Sequence, residues 1–343
     1  MSDHPTPLPD PDAPRPTRPW SIIFAAAMAL LAVAYFAAGL RPTLPSEPID
    51  LRTLAALPVS EQGRIKPVDT VARTSLLLIS DKQTFQDQSG ERRPALKFLM
   101  DVMSNRPEAL DYHVFRIEND DVLSVAGLQP RKRFRYSWNE LLPGLPDIER
   151  TARNASNLPS SQRTLFDRKV LELRQQVQLF QMLATGQHPL IAPPHPGQEA
   201  WLSPRHIVTH AHTAPGTLSP IERHWIELLT AYRTGDADSA NAMIRLLRDE
   251  VREQTPATTF RTGLEALYNH LSPFTRTAAL YVLSGLLVCF GWLGWPRGFI
   301  RAAIAVVVVA FVIHTASLGV RMYLHGRPPV TNLYSSAIFV GWA

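Results

Sequence analysis

His314 is the residue of this chain best placed to do chemistry. It stands in RAAIAVVVVAFVIHTASLGVRMYLHG, an apolar stretch that runs from Arg301 to Gly326. A titratable imidazole inside a membrane-spanning helix is costly unless something pairs with it, so by default it marks a functional site. Arg321 follows seven positions later. Seven residues make about two helical turns, which puts both side chains on one face, about 10 Å apart along the axis. A neutral imidazole can ligate a haem iron, and a guanidinium near the water boundary can pair with a propionate; the spacing suits both. Packing accounts for the same pair in another way. The imidazole would then hydrogen-bond to a neighbouring helix, and Arg321 would snorkel to the headgroups. The residues alone leave both readings open.

The segment LHGRPPVTNLYSS that follows carries His325, Arg327, Asn332 and Tyr334. Gly326 and Pro328-Pro329 make a stiff turn there. These polar groups either line the mouth of a cofactor site or are simply solvated. His206, His210 and His212 form an HxxxHxH cluster. On a helix, His206 and His210 would share a face and could hold a metal. Their surroundings are rich in proline and offer no carboxylate at ligand spacing, so solvated histidines are expected. Asp120-Asp121 and Asp236/Asp238 read as turn acids, not a catalytic pair. No nucleotide-binding loop and no GxSxG elbow occurs, and no catalytic residue is assigned.

Several elements have to position these residues. Residues 1–19 are polar and proline-rich and are expected to be a disordered cytoplasmic tail. Trp20 to Leu40 is apolar and free of charge, long enough to cross about 30 Å of hydrocarbon. Its small-residue pattern Ala32-Val33-Ala34 also fits a cleaved signal peptide, but its apolar core is longer than the roughly 7–15 residues usual there. A retained first span is therefore expected, with its N-terminus cytoplasmic because Arg15 and Arg18 precede it. Residues 41–275 are expected to form a largely helical extra-cytoplasmic domain with minor β structure. A turn at Gln62-Gly63 precedes a helix from about Asp69, in which Val71, Ser75, Leu76 and Ile79 recur at helical spacing. Further helices are expected at 96–104 and at 161–186, with small strands around 110–135 and loop at 187–218. Ser219, Pro220 and Glu222 spell a capping box before a helix to Thr234, and a second helix follows over 237–253. Trp225, Leu228 and Tyr232 match the opening of a tetratricopeptide unit, but with one copy in sight a plain helical hairpin is expected. A second span is read at 277–296 and a third at 302–320, joined by a cytoplasmic loop with Arg297 and Arg301. An external loop (321–335) and the start of a fourth span (336–343) close the chain. The fold class is thus mainly α, a multi-pass α-helical membrane protein.

Composition narrows the function. Among 343 residues the formal net charge is +5, which is mild, and no basic stripe interleaves with aromatics, so nucleic acid is not an expected partner. The one cysteine, Cys289, excludes disulfide frameworks, thiolate zinc sites and a CxxCH haem attachment site within the chain.

The closing stretch resembles the cytochrome c assembly proteins of the CcsA/ResC type, which serve system II cytochrome c biogenesis. The residues that carry this are His314-Thr315, Leu318-Gly319-Val320-Arg321-Met322-Tyr323, Gly326, Pro328-Pro329, Asn332-Leu333-Tyr334-Ser335-Ser336, Phe339 and Trp342. GRIKPVDTVAR (63–73), Tyr268-Asn269 and Pro273-Phe274 resemble the region preceding this module in enlarged homologues. The resemblance implies a bacterial inner-membrane protein that takes part in haem delivery to apocytochrome c. It implies non-covalent b-type haem, with His314 as metal ligand, Arg321 and Arg327 as propionate partners, and Asn332 and Tyr334 shaping the access loop. Ser336 replaces the family's usual glutamate. The haem-presenting WWD segment is absent from these residues. It is expected from the remaining CcsA/ResC-type module, or from a further chain beside a ResB-like protein, so a cytochrome c haem lyase would be present only in part. The alternative is a membrane-anchored scaffold whose outer domain docks a partner without any cofactor.

Overall fold

The computed structural model describes residues 19–41, 48–194, 200–326 and 333–342. In chain order they form helix α1 (Pro19–Ala37), α2 (Leu51–Ala55), strands β1 (Pro58–Glu61) and β2 (Arg64–Pro67), α3 (Val68–Ser80), β3 (Thr84–Gln86), β4 (Arg92–Pro94) and α4 (Ala95–Met103). Then come β5 (Phe115–Arg116), α5 (Asp120–Ala126), β6 (Arg135–Tyr136), α6 (Trp138–Leu141), α7 (Leu145–Ser156), α8 (Leu165–Ala184) and α9 (Pro204–Thr213). The remainder is helical: α10 (Pro220–Thr234), α11 (Ala237–Gln254), α12 (Pro256–Leu271), α13 (Pro273–Leu293), α14 (Pro296–His325) and α15 (Leu333–Trp342). Among the described residues, three segments are long and apolar enough to cross a membrane, Pro19–Leu40, Pro256–Leu293 and Pro296–His325. The chain divides into two compact units, Leu44–Asn269 and Met1–Thr43 with His270–Ala343.

In the unit Leu44–Asn269, local sequence rules set most boundaries. Thr164 and Asp167 close a capping box on α8, and Ser219 and Glu222 close one on α10. Gly235 ends α10 in the left-handed conformation, and Asp236 caps α11. Asp120 and Asp121 lie in the first turn of α5, where carboxylates oppose the positive helix end. Trp225, Leu228 and Tyr232 are buried where α10 packs on α11 as one hairpin. Phe180 of α8 stacks on Trp138 at 4.8 Å between ring centroids and meets Phe115 at 5.5 Å.

The small strands expected around 110–135 are present as β5 and β6, which pair over two residues each, and helix α5 lies between them. A second short hairpin, β3 with β4, stands where none was read. The stretch 187–218 is not all loop, because Ser203 caps α9 and Pro204 occupies its first turn. Its prolines read as helix breakers, yet proline at the first helical position is favourable.

Two sites in this unit have measurable consequences. A Cβ added at Gly144 would lie 2.4 Å from the carbonyl oxygen of Ala126. Backbone cannot swing aside, so Gly144→Ala is expected to cost about 1–3 kcal/mol. An unchanged thermal midpoint would refute the close approach. At the β1–β2 hairpin, Lys66 Nζ donates to Glu61 Oε2 at 2.6 Å, and His188 Nε2 lies 3.1 Å from Glu61 Oε1. Burial pushes the Glu61 carboxyl up, but the hydrogen bonds from His188 and Lys66 outweigh it and hold it below the ordinary glutamate range. A depressed folded value stabilises the protein fully above the unfolded value, and the benefit is lost as pH falls through the folded one. Glu61→Gln should therefore lower the melting midpoint at pH 7, with the gap to wild type closing below about pH 4. A gap independent of pH would contradict this.

Candidate functional site

The helices of the second unit pack through small residues. Ala302, Ala303, Val306 and Ala310 of α14 are buried with Leu280 and Leu287 of α13 and Ala32 of α1. Side chains this small let helix backbones approach closely, the usual basis of packing where lipid removes the hydrophobic drive. Ser284 Oγ donates to the Ala303 carbonyl at 3.0 Å across α13 and α14. Arg301 NH1 donates to Ser21 Oγ of α1 at 2.6 Å. The buried stripe continues up α14 through His314, Ser317 and Leu318.

His314 is therefore an interior residue, only 8% exposed. Its Nδ1 lies 3.4 Å from the Tyr281 Oη of α13. The Phe274 ring meets the imidazole edge-on at 5.4 Å, and the Tyr281 ring does so at 6.0 Å. Among the described residues, His314 Nε2 is buried and has no hydrogen-bond partner. Buried polar atoms are nearly always paired, so an orphaned ring nitrogen needs a reason. The Arg321 guanidinium stands 5.6 Å from the Phe274 ring centroid, a cation–π contact. Phe274 thus touches both residues that sequence placed on one face of α14.

Helix α14 is longer than the third span read from sequence. It begins at Pro296, so Arg297 and Arg301 are helical and not in a loop, and it ends at His325 with Gly326 left-handed behind it. Arg321 and His325 accordingly belong to the helix and not to an external loop. The run stays helical because Met322, Tyr323 and Leu324 are compatible with helix and Gly326 supplies the stop. Arg327 and Asn332 lie outside the described residues. Tyr334 falls within α15, and its side chain is likewise outside them. On α14, Thr315 Oγ1 accepts from Trp342 Nε1 at 2.8 Å, and the Trp342 ring lies parallel to Phe311 at 6.5 Å. The threonine and tryptophan that sequence comparison put 27 positions apart are partners.

The upstream elements also meet, within the unit Leu44–Asn269. Glu265 of α12 is buried and takes Arg64 of β2 and Thr70 of α3, the latter at 2.9 Å. Asn269 Nδ2 donates to Thr70 Oγ1 at 2.8 Å, and Arg73 pairs with Asp69 at 2.7 Å. Glu265 sits outside the motif residues, and no periodicity marks it.

The histidine cluster is structural. His206 Nδ1 lies 2.9 Å from Ser203 Oγ, at the cap of α9. His210 Nδ1 lies 3.0 Å from the buried Glu222 Oε1, and its Nε2 lies 2.8 Å from Thr217 Oγ1. His206 is thus tied to its own helix cap and His210 to a carboxylate twelve residues downstream that sequence spacing hid, while His212 is exposed. Among the described residues no group of three or more His, Cys, Asp or Glu side chains could hold a metal. A cavity of about 30 Å³ bordered by Arg116, Glu172 and Gln176 has room for water and not for a large cofactor.

Fold and site together describe a mainly α protein with three membrane-length helices and an imidazole buried between two of them. No protein-family model matches the chain. It is similar to Protein NrfI of Wolinella succinogenes, 22% identical over 305 residues, which cover 83% of this chain and 32% of that protein. The chain thus spans about a third of the length of the curated relative it matches. The similarity supports the cytochrome c biogenesis family indicated by the closing residues.

Proposed function

We propose that this protein takes part in cytochrome c maturation by holding haem at His314, for delivery to apocytochrome c at the outer face of the bacterial inner membrane. The observation that carries the reading is the buried His314 Nε2 with no partner among the described residues. A ring nitrogen with an open lone pair fits a metal-ligand role. The similarity to Protein NrfI and the motif residues around His314 point the same way. Haem, when bound, would supply an iron that a neutral imidazole can ligate and propionates that cations can pair. In this chain His314 would hold the iron, and Arg321 and Arg327 would pair the propionates. Asn332 and Tyr334 line the access segment, and Phe274 keeps water from the imidazole. Arg297 and Arg301 place the α13–α14 turn on the cytoplasmic side, which puts the unit Leu44–Asn269 outside. The partners of this reading are a CcsA/ResC-type haem-handling module or a ResB-like protein, together with apocytochrome c.

The absorption spectrum of the chain purified from haem-replete membranes tests this. A Soret band is expected, and a colourless preparation overturns it.

A further inference from the structure

We propose that Tyr281 is a positioning residue for the His314 ligand, fixing the tautomer that leaves Nε2 open. This rests on the haem reading above and assigns a role to a residue that the motif pattern does not contain. Tyr281 lies on α13, and its Oη is 3.4 Å from His314 Nδ1. Its ring also meets the imidazole edge-on at 6.0 Å, so two contacts hold the pair.

A neutral imidazole carries one proton, and its two nitrogens differ accordingly. If Tyr281 donated to Nδ1, the proton would sit on Nε2, leaving a buried N–H with no acceptor among the described residues. Orphaned buried N–H groups are rarer than under-satisfied acceptors. The favoured arrangement has Nδ1–H donating to the Tyr281 oxygen, which leaves the lone pair on Nε2. Metal-bound histidines have this arrangement, with the second ring N–H held by an oxygen acceptor that orients the ring and raises its basicity. Phe274 packs the imidazole from another side at 5.4 Å but offers no hydrogen bond. Tyr281 is therefore the polar contact of His314 among the described residues.

Tyr281→Phe tests the role in the full chain, because it keeps the ring and removes only the hydroxyl. Affinity is read by haem titration of the membrane-purified protein, and the ligand field by the reduction potential of the bound group. Apparent affinity should fall about 10–100-fold, the usual cost of losing such a partner. The potential should rise, because a less basic imidazole stabilises ferric iron less. Packing alone would leave the potential in place when the ring is kept. A Tyr281→Phe protein matching wild type in affinity and potential, while His314→Ala loses the band, overturns the Tyr281 role and leaves the haem reading standing. A wild type that takes up no haem overturns both.

Discussion

His314→Ala is expected to abolish the Soret band of the purified protein, while Arg321→Ala weakens haem retention without abolishing it. The difference follows from where the two side chains stand. His314 is buried, its Nδ1 is engaged by Tyr281, and its Nε2 has no partner among the described residues, so no neighbouring nitrogen in view replaces it. On the haem reading proposed above, removing it removes the ligand. Arg321 stands against Phe274, and the role proposed for it is a charge-assisted hydrogen bond to a propionate. Such a bond contributes about 1.5–3 kcal/mol, roughly 10–100-fold in affinity. Arg321→Lys should keep part of that, as a point charge without the bidentate fork. His325→Ala serves as the control. His325 occupies the last turn of α14, and its removal should leave the band in place. A His314→Ala protein with an undiminished band would place the ligand elsewhere.

Asp101→Ala should produce the largest loss of stability in the unit Leu44–Asn269. Asp101 is fully buried on α4. Its carboxylate accepts from Tyr112 Oη at 2.7 Å and from Tyr232 Oη at 3.1 Å, and Lys97 Nζ lies 3.1 Å away. Burial, and then the adjacent Asp101 charge, push the Tyr112 phenol well above its ordinary range, so it remains a donor at any working pH. Truncation strips the buried hydroxyls and the ammonium of this acceptor at once. Breaking a buried charged network by removing one member costs about 3–5 kcal/mol. For a unit of this size that corresponds to roughly 10 °C or more in melting midpoint. Tyr112→Phe should cost much less, about 1 kcal/mol, because it removes one donor and leaves the rest paired. Circular dichroism melts of the full chain in detergent compare the three proteins, and equal midpoints for Asp101→Ala and wild type would contradict the network.

What could be read in advance was what depends on near neighbours in the chain. The limits of α10 follow from Ser219, Pro220, Glu222 and Gly235, because a cap is made within four residues and its chemistry is written locally. The buried stripe of α3 through Val71, Ser75, Leu76 and Ile79 was legible from its period. The cores of the apolar spans were plain from composition. The α9 helix is hidden because proline breaks helices in general, and only the position of Pro204 in the first turn reverses that. The far end of α14 was misjudged because Arg321 looked like a boundary, whereas a snorkelling cation is tolerated inside a helix.

The amino-acid order by itself determined that this is a mainly α chain with membrane-length apolar helices, that His314 and Arg321 share one helix face, and that a disulfide framework, a thiolate zinc site and a CxxCH motif within these residues are excluded. Helical period, hydropathy and residue counts act at short range and need no partner. Only the tertiary structure decided which side chains answer one another. It set Tyr281 and Phe274 against His314, Glu265 against Arg64 and Thr70, Glu222 against His210, and Tyr232 against an Asp101 that lies 131 positions earlier. These pairings depend on how helices pack, and no local pattern records them. The open nitrogen of His314 is of the same kind: an imidazole in a sequence always has two nitrogens, and only the packed helices show which one has no partner among the described residues.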